Sequence, residues 1–260
     1  MKIKNETLLY KYRDFGEHTN QIIKLSELYF ASPNFFNDPF DCNLQFRNIN
    51  SYSSSEIKKF KKKVLQNTKS IRQDLNKTKS NKIFISNLEK EIKSWKANSG
   101  ILSLSLIPNN ILMWSHYSNN HKGLCFGFKG LKNQENSLPS EGIKVEYSKN
   151  EDYELISVLD EDYEKELTRL FTIKSKDWKY EKEYRFTRIS LNGSKEYGSK
   201  KFYKKCLKEI IFGYKAEKTK IKNIINLCQS NGFEHVEFKK AKLVPGKFAL
   251  DFDKINKDDY

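Results

Sequence analysis

The sequence predicts an α+β domain that carries a basic helical insertion. Short aromatic and β-branched runs, separated by Gly, Pro and Asn, indicate several strands along the chain. Between residues 51 and 99 the apolar positions recur instead at helical spacing. No internal repeat and no long linker interrupts the pattern. We therefore expect a single domain over residues 1–260, with the insertion at 51–99.

The composition predicts a substantial hydrophobic core and a strongly basic surface. The 260 residues include 18 Phe, 14 Tyr and 3 Trp, which bring large apolar areas to a core. Lys and Arg number 48 against 33 Asp and Glu, so the formal net charge is +15. This charge favours nucleic acid as a partner of the basic surface, although a solvated lysine-rich face has the same composition.

We expect a cytoplasmic protein without membrane contact. No run approaches the roughly 18–20 apolar residues that a membrane helix requires. Residues 1–16 lack the apolar core of a signal peptide. The cysteines are scattered without metal-ligand spacing, which predicts reduced, mostly buried thiols and no bound metal. They are Cys42, Cys125, Cys206 and Cys228.

The first forty residues predict two strands and a loop. LLYKYRDF, at 8–15, is an aromatic-rich strand, and QIIKLSELYFASP, at 21–33, is a second strand that ends at Ser32 and Pro33. The loop NFFNDPFDCNLQF follows at 34–46 and is dense in aromatic and carboxylate side chains.

The insertion predicts two helices packed on the main body. The segment 51–66 begins with serines suited to N-capping and places Ile57, Phe60 and Val64 at i, i+3 and i+7. A second stripe at helical spacing comprises Ile85, Leu88, Ile92 and Trp95. Such stripes are more often core than partner-binding faces, and the positive outer face remains available to a polyanion.

The remaining chain predicts strands alternating with helices. Strands are expected at 101–106, 124–128, 143–148, 178–191, 209–214 and, as the last one, 235–243. Helices are expected at 111–118, capped by Asn109 or Asn110, at about 160–174 and at 219–231. The inward faces of the last two comprise Tyr163, Leu167, Leu170 and Phe171, then Ile221, Ile224, Ile225 and Cys228.

Four short motifs carry residue types that can do chemistry. ILMWSHYSNNHKGLCFGF, at 111–128, brings two histidines and a tryptophan to the mouth of a strand, which suits either a binding site or a packed corner. NDPFD, at 37–41, offers the carboxylates of Asp38 and Asp41, either as ligands or as turn-forming residues. LYKYR, at 9–13, offers tyrosines for stacking and an arginine for phosphate.

The fourth motif is WKYEKEYR at 178–185. On a strand it would place Glu181, Glu183 and Arg185 on one face. That face is either an exposed ladder of salt bridges or the wall of a cleft. In a cleft, a glutamate can act as a base or stabilise a developing cation.

These motifs, in this order, resemble a bacterial family known as domain of unknown function 2971. The segments that carry the resemblance are LYKYR, LYFASPNFFNDPFDC (28–42), NILMWSHYSNNHKGLCFGF (110–128) and KSKDWKYEKEYRF (174–186), and EIIFGY (209–214) also fits. The resemblance runs from about Leu8 to Lys239, interrupted by the insertion.

The layout also resembles the ADP-ribosyltransferase superfamily, which includes DNA-modifying toxins. This resemblance implies mainly antiparallel small sheets around a cleft, with flanking helices, and NAD as the substrate held there. It implies an enzyme that is a transferase or NAD glycohydrolase, acting on nucleic acid or protein as a toxin or phage-defence effector. The implied catalytic residues are Glu183, Glu181 and His116. The residues expected to bind NAD are Tyr10, Tyr12, Arg13, Asn37, Asp38, Trp114, Ser115, Tyr117, Lys122 and Arg185.

Two other functions fit the same residues. A metal-dependent nuclease would hold magnesium with carboxylates from two motifs, assisted by His116 or Lys122. Those carboxylates are Asp38, Asp41, Glu181 and Glu183. A non-catalytic binding module would use Trp114, Tyr117 and the lysine-rich insertion for nucleic acid or protein. Release of nicotinamide from NAD would indicate the first function, and loss of nucleic-acid cleavage on metal chelation would indicate the nuclease. Binding without turnover would indicate the binding module.

Overall fold

The computed structural model describes residues 7–43, 45–67, 80–131, 142–149, 152, 155–157, 159, 163–190 and 193–256. Its α-helices are α1 (Glu17–Leu25), α2 (Ser54–Asn67), α3 (Asn81–Asn98), α4 (Ile111–Tyr117), α5 (Tyr163–Thr172) and α6 (Lys218–Gln229). Its strands are β1 (Leu9–Arg13), β2 (Glu27–Phe30), β3 (Gly100–Ser105), β4 (Leu124–Phe128), β5 (Ile143–Lys144), β6 (Glu146–Tyr147), β7 (Ile173–Lys174), β8 (Glu183–Arg188), β9 (Gly198–Lys201), β10 (Leu207–Phe212), β11 (Glu237–Leu243) and β12 (Leu250–Lys254).

The strands form one eight-stranded sheet and two small sheets. The order in the large sheet is β12-β11-β10-β4-β1-β3-β8-β5, and its pairs are antiparallel except for β10 with β11. The small sheets pair β2 with β9 and β6 with β7. The fold is therefore α+β with mainly antiparallel sheets, as predicted.

The large sheet is nearly divided in the middle. β1 pairs with β4 at five residues and β3 with β8 at six, but the pairing between β1 and β3 consists of Tyr10 with Ser105. Beyond that pair the two strands form a fork whose ends are Arg13 and Gly100. Since strands in a continuous sheet stay hydrogen-bonded along their length, the fork leaves room for a cavity between two sheet halves.

Alternation along the strands separates two core layers. On β3, Leu102 and Leu104 pack into the cluster with Ile22 of α1 and Ile224 of α6. Ile101 faces the other way, into the cluster formed with the insertion. Ser103 and Ser105 share the face of Ile101, so polar groups line that side of β3 beside the fork.

The structure confirms the helices of the insertion. Ile57 and Phe60 of α2 are buried, and so is the stripe of α3 that comprises Phe84, Ile85, Leu88, Ile92 and Trp95. The side chains of Val64, Tyr163 and Leu167 lie outside the described residues. Asn110 caps α4, its Oδ1 accepting hydrogen bonds from the amides of Leu112 and Met113. On α6 the predicted inward residues are all buried, and the four cysteines are reduced and buried.

The expectation of a strand over residues 21–33 was wrong in detail. The segment at 21–25 is the end of helix α1, because Thr19, Ile22 and Ile23 form a buried face at helical spacing. The helix ends at Ser26, which adopts a left-handed conformation with φ of 54°, and β2 begins only afterwards. Since short apolar runs do not distinguish a helix from a strand, packing against α6 decides.

The strand expected at 178–191 begins later than predicted. Lys176–Glu181 is a 3₁₀ helix, and the hydroxyl of Ser175 caps it by accepting a hydrogen bond from the amide of Asp177. Lys182 then takes a left-handed conformation with φ of 44°, which turns the chain into β8. Glu181 and Glu183 therefore lie on either side of a turn rather than at alternate positions of one strand.

Two further differences concern the strand list. The segment 143–148 divides into β5, which pairs with β8, and β6, which pairs with β7. The strand β12 follows the one expected to be last and pairs with β11 through Leu250 and Leu243. Its alternation is weak because it lies at the sheet edge, where only Leu250 is buried. No helix in the described parts of the chain is long and apolar enough to span a membrane.

Candidate functional site

A cavity of about 610 Å³ lies in the fork between β1 and β3. This volume is within the roughly 300–1,000 Å³ typical of ligand pockets. Its walls come from both sheet halves, from α1 and β2, and from the loop after β2. The polar and aromatic lining includes Tyr10, Lys11, Tyr12, Arg13, His18, Gln21, Asn37, Asp41, Ser103, Tyr117, Lys174, Glu181 and Glu183.

Five charged side chains converge beneath one end of the cavity. They form the charge cluster, which comprises Asp41, Lys174, Glu181, Glu183 and Arg185. All five are buried, and burial of charge is tolerated only where each group is paired and hydrogen-bonded. Three carboxylates face two cations in the charge cluster, so it carries an excess of one negative charge.

Arg185 forms the base of the charge cluster. Its Nη1 and Nη2 donate to the two carboxylate oxygens of Asp41 at 2.8 and 2.6 Å. Its Nε and Nη2 donate to Glu183 at 2.8 and 2.9 Å, and Nη1 also donates to the carbonyl of Phe171 at 2.9 Å. This paired, forked geometry fixes both carboxylates, and the side chain of Arg185 is fully buried.

Lys174 joins the base of the charge cluster to Glu181. Its Nζ donates to Oε2 of Glu181 at 2.7 Å and to Oε2 of Glu183 at 3.2 Å, and lies 3.3 Å from Asp41. The other carboxylate oxygen of Glu181 accepts a hydrogen bond from the hydroxyl of Tyr117 at 2.7 Å. Glu181 thus stands at the cavity wall between a buried ammonium and a phenol.

The two glutamates have opposite pKa shifts. Burial alone would raise the pKa of Glu183, but Arg185 and Lys174 outweigh it and hold that pKa at about 2. Burial raises the pKa of Glu181 above its usual value, and Lys174 offsets only part of the effect. Glu183 therefore stays ionised until the pH falls towards about 2, while Glu181 is the more readily protonated of the two carboxylates.

The opposite wall of the fork is basic. Lys11 and Arg13 of β1 both line the cavity, and Nζ of Lys11 donates to the carbonyl of Ser103 at 3.0 Å across the fork. Burial, followed by the charge of Arg13, lowers the pKa of Lys11 to about 8. The Nε of Arg13 is buried without a hydrogen-bond partner among the described residues. Lys11 and Arg13 therefore give the cavity a cationic side, and the charges of Glu183 and Glu181 also act on Lys11.

The structure brings seven of the predicted site residues to the cavity. They are Tyr10, Tyr12, Arg13, Asn37, Tyr117, Glu181 and Glu183. Asn37 lies close enough to the hydroxyl of Tyr117 to lower its pKa, against a larger increase from burial. Asp41 also lines the cavity and belongs to the charge cluster, whereas Arg185 lies behind it and holds the carboxylates.

The other predicted residues lie away from the cavity lining. Trp114 is fully buried, its Nε1 donates to the carbonyl of Pro108 at 2.7 Å, and its ring packs edge-on against Tyr12 at 5.2 Å. Trp114 therefore supports the β1 wall from behind. Asp38 is buried too, with Oδ1 accepting from the amide of Phe40 and Oδ2 unpaired among the described residues.

His116 points outward from α4. It is exposed, and its Nδ1 lies 3.1 Å from the hydroxyl of Tyr180. Ser115 contacts Nε2 of His121 at 3.1 Å, and Lys122 is exposed. On a helix of seven residues, Tyr117 faces the cavity while His116, one position earlier, is rotated by about 100° towards solvent.

Sequence reasoning missed Lys11 and Lys174. Lys11 stands between the two tyrosines of LYKYR, and Lys174 is the first residue of KSKDWKYEKEYRF. Among 48 basic residues neither stands out, since a lysine becomes unusual only when it is buried. The signal available in the sequence was their position inside the motifs.

Part of the chain is similar to a known family. Residues 113–186 match the family model described as protein of unknown function (DUF2971). This confirms the predicted family resemblance over a segment that runs from α4 to β8. The matched segment includes every member of the charge cluster except Asp41. It also includes Tyr117, whose hydroxyl contacts Glu181. No curated protein and no solved structure matches the chain.

Proposed function

We propose that the cavity binds NAD and that the protein cleaves the bond between nicotinamide and ribose. The observation that supports this proposal is the presence of both anionic and cationic side chains in one cavity. Glu181 and the charge cluster form an anionic end, and Lys11 and Arg13 form a cationic wall. NAD has the matching distribution, because its nicotinamide ring is positive and its diphosphate is negative.

The buried excess of negative charge suits the chemistry of this bond. The bond between ribose C1′ and the nicotinamide nitrogen breaks, and its electron pair leaves with nicotinamide. Positive charge then develops on the ribose, as in other glycosidic departures. A fixed anion in a site shielded from water stabilises that charge without reorganisation, which is the usual source of the largest catalytic effect.

Glu181 is the residue that we assign to this role. Lys174 and Tyr117 hold its two oxygens, so its position is fixed before a ligand arrives. It accepts a hydrogen bond from a ribose hydroxyl and stabilises the cation. An acceptor oxygen or nitrogen then forms the new bond to C1′ and loses one proton, and the raised pKa of Glu181 allows it to take that proton.

Tyr10, Tyr12 and Tyr117 supply aromatic surface near the charged groups of the cavity. Such surfaces suit the flat nicotinamide and adenine rings. Water as the acceptor gives an NAD glycohydrolase, and a nucleic-acid or protein group gives an ADP-ribosyltransferase. The net charge of +15 favours nucleic acid among these macromolecular acceptors. Such an enzyme would serve as a toxin or phage-defence effector.

The charge cluster favours this proposal over a metal-dependent nuclease. In a magnesium site, carboxylate oxygens bind the metal. Here the oxygens of Asp41 and Glu183 are held by Arg185 and Lys174 at 2.6–3.3 Å. A metal would have to displace these cations, and the buried side chain of Arg185 has no room to leave without unfolding the cluster.

Nicotinamide release tests the proposal directly. Purified protein is incubated with NAD in water, with single-stranded or duplex nucleic acid, or with a protein mixture, and free nicotinamide is measured by chromatography. We expect release with at least one acceptor, and a loss of about 100-fold or more in Glu181→Gln. Glu17→Gln, on the exposed face of α1, is the matched control and keeps full activity.

Calorimetry separates binding from chemistry. The Glu181→Gln variant should still bind NAD. The double variant Glu181→Gln/Lys11→Met should have an affinity for NAD about tenfold or more lower, because a charged hydrogen bond to phosphate is lost. Lys220→Met on α6 is the control for charge alone. Absence of nicotinamide release with every acceptor, or full activity of Glu181→Gln, would overturn the proposal.

A further inference from the structure

Two large aromatic side chains stand in solvent at the mouth of the cavity. Tyr29 of β2 is 54% exposed and Phe35 of the following loop is 75% exposed, yet both line the cavity. We refer to Tyr29 and Phe35 as the aromatic rim. Leaving apolar rings in water costs free energy of roughly 25 cal/mol per Å², so exposed aromatics beside a cavity mark a binding surface.

The chain holds the aromatic rim in place. Ala31 exchanges backbone hydrogen bonds with Ile101 of β3 at 2.9 and 2.8 Å. The hydroxyl of Ser32 donates to the carbonyl of Ala97 at 2.8 Å and caps the turn of Pro33–Phe35 by accepting from the amide of Asn34. Both ring-bearing segments are thus anchored to neighbouring elements, and the exposed rings are presented on a fixed support.

Polar groups surround the aromatic rim. Gln21 of α1, Glu27 of β2 and Ser199 of β9 line the same cavity and offer both donors and acceptors. In the pairing of β2 with β9, Tyr29 lies opposite Ser199 and Glu27 lies opposite Lys201. Because alternate residues of a strand share a face, Lys201 lies on the side of Tyr29. The aromatic rim and its neighbours on α1, β2 and β9 therefore combine stacking faces, hydrogen-bonding groups and a cation.

We infer that the aromatic rim is the acceptor subsite and that it takes an unpaired base of a single-stranded nucleic acid. A base has two π-faces for the rings, polar edges for Gln21, Glu27 and Ser199, and an attached phosphate for Lys201. A duplex cannot enter, because its bases are stacked and paired. The net charge of +15 favours the same polyanion.

This inference rests on the proposed function, since it names the acceptor of that reaction. A nitrogen of the base forms the new bond to ribose C1′, nicotinamide leaves with the electron pair of the broken bond, and Glu181 accepts the proton of the attacking nitrogen. The aromatic rim and Glu181 line the same cavity, so the base and the ribose would share it.

Fluorescence anisotropy without NAD tests the subsite alone. Labelled single-stranded DNA and RNA oligonucleotides and a duplex of equal length are titrated at one fixed salt concentration, because salt controls such affinities. We expect the single strands to bind more tightly than the duplex. Tyr29→Ala and Phe35→Ala should each raise the Kd of the single strand by roughly 5- to 100-fold, the range of one lost stacking contact.

Phe248→Ala is the matched control. Phe248 is 101% exposed in the turn before β12 and does not line the cavity, so its removal should leave the Kd unchanged. Because all three side chains are exposed, each variant should keep the wild-type melting temperature. Equal binding of duplex and single strand, or unchanged binding by both rim variants, overturns the inference. So does a result in which the rim is needed to bind an unfolded protein but not to bind the oligonucleotide.

The two proposals fail separately. Nicotinamide release without rim-dependent binding of single strands removes the acceptor subsite and leaves NAD cleavage standing. Rim-dependent binding of single strands without nicotinamide release leaves the base-binding subsite standing, but it removes both NAD cleavage and the role of the base as acceptor.

Discussion

The hydroxyl of Tyr117 donates to Oε1 of Glu181 at 2.7 Å, across 64 residues of sequence. This contact ties helix α4 to the 3₁₀ turn before β8. It leaves Glu181 with one oxygen bound to a phenol and the other to the ammonium of Lys174. The orientation of the one carboxylate with a raised pKa at the cavity wall therefore depends on two distant elements.

Tyr117→Phe tests this contact. The phenol donates to the carboxylate and so lowers the pKa of Glu181, which means that its removal should raise that pKa further. We expect nicotinamide release to slow by about 10- to 100-fold and its rising limb to move to higher pH, since Glu181 must be ionised. Tyr214→Phe, exposed and outside the cavity lining, should keep the wild-type pH profile. An unmoved profile in Tyr117→Phe would rule out the role of this contact.

Lys174→Met should destabilise the fold strongly. It leaves three buried carboxylates facing Arg185 alone, and removing one partner of a buried ion pair costs about 3–5 kcal/mol. Lys179→Met, exposed in the neighbouring 3₁₀ turn, is the control and should change stability little. Both are measured by urea denaturation monitored by fluorescence.

The double variant Lys174→Met/Glu181→Gln gives a second check on the charge cluster. Neutralising Glu181 removes one of the carboxylates left unpaired, so the loss of stability should be smaller than the sum of the two single losses. Strict additivity would show that the two side chains do not interact energetically.

The unfolding free energy should fall in acid because of Glu183. Its folded pKa of about 2 lies below the roughly 4.3 of an unfolded glutamate, so its stabilisation is present above about pH 4.3 and lost as pH falls towards about 2. Glu181 has the opposite shift and offsets part of this loss. The loss attributable to Glu183 should reach up to about 3 kcal/mol.

Glu183→Gln should flatten this acid dependence while lowering stability at neutral pH. The measurement is the urea midpoint from about pH 6 down to about pH 2, which covers the range between the unfolded and folded pKa values of Glu183. Glu17→Gln, exposed on α1, should keep the wild-type slope. An equally steep slope in Glu183→Gln would assign the acid sensitivity to other groups.

Trp114→Ala should behave as a core substitution. Its fully buried ring supports Tyr12 behind the β1 wall, and truncating a buried aromatic costs about 3–5 kcal/mol. Leu112→Ala on the exposed side of the same helix should cost far less. Thermal denaturation compares the two, and equal losses would show that Trp114 does not carry the packing of α4.

The sequence motifs predicted much of the site but not its connections. Glu181, Tyr117 and Arg13 were named from the sequence, and all three line one cavity. Short apolar runs predicted β3 and β4, and the structure pairs each of them with two neighbouring strands. The helix α1 was missed because an apolar run as short as QIIK fits both periods.

The two lysines were missed for a different reason. The residue type of Lys11 or Lys174 says nothing about burial, and burial alone makes their charges consequential. His116 and Tyr117 show the converse. Both occur in the same motif, but the rotation of a short helix sends one to solvent and the other to Glu181.

The sequence by itself determined the α+β class, the positions of most helices and strands, and the family resemblance confirmed over residues 113–186. These follow from local periodicity and short motifs, which neighbouring residues encode. Only the tertiary structure decided that β1 and β3 diverge after Tyr10 and Ser105, and that Asp41 and Lys174 join Glu181 there. Tyr10 and Ser105, and likewise Asp41 and Lys174, are distant in the sequence, so local periodicity does not encode these contacts. Packing and charge pairing select them as the chain folds.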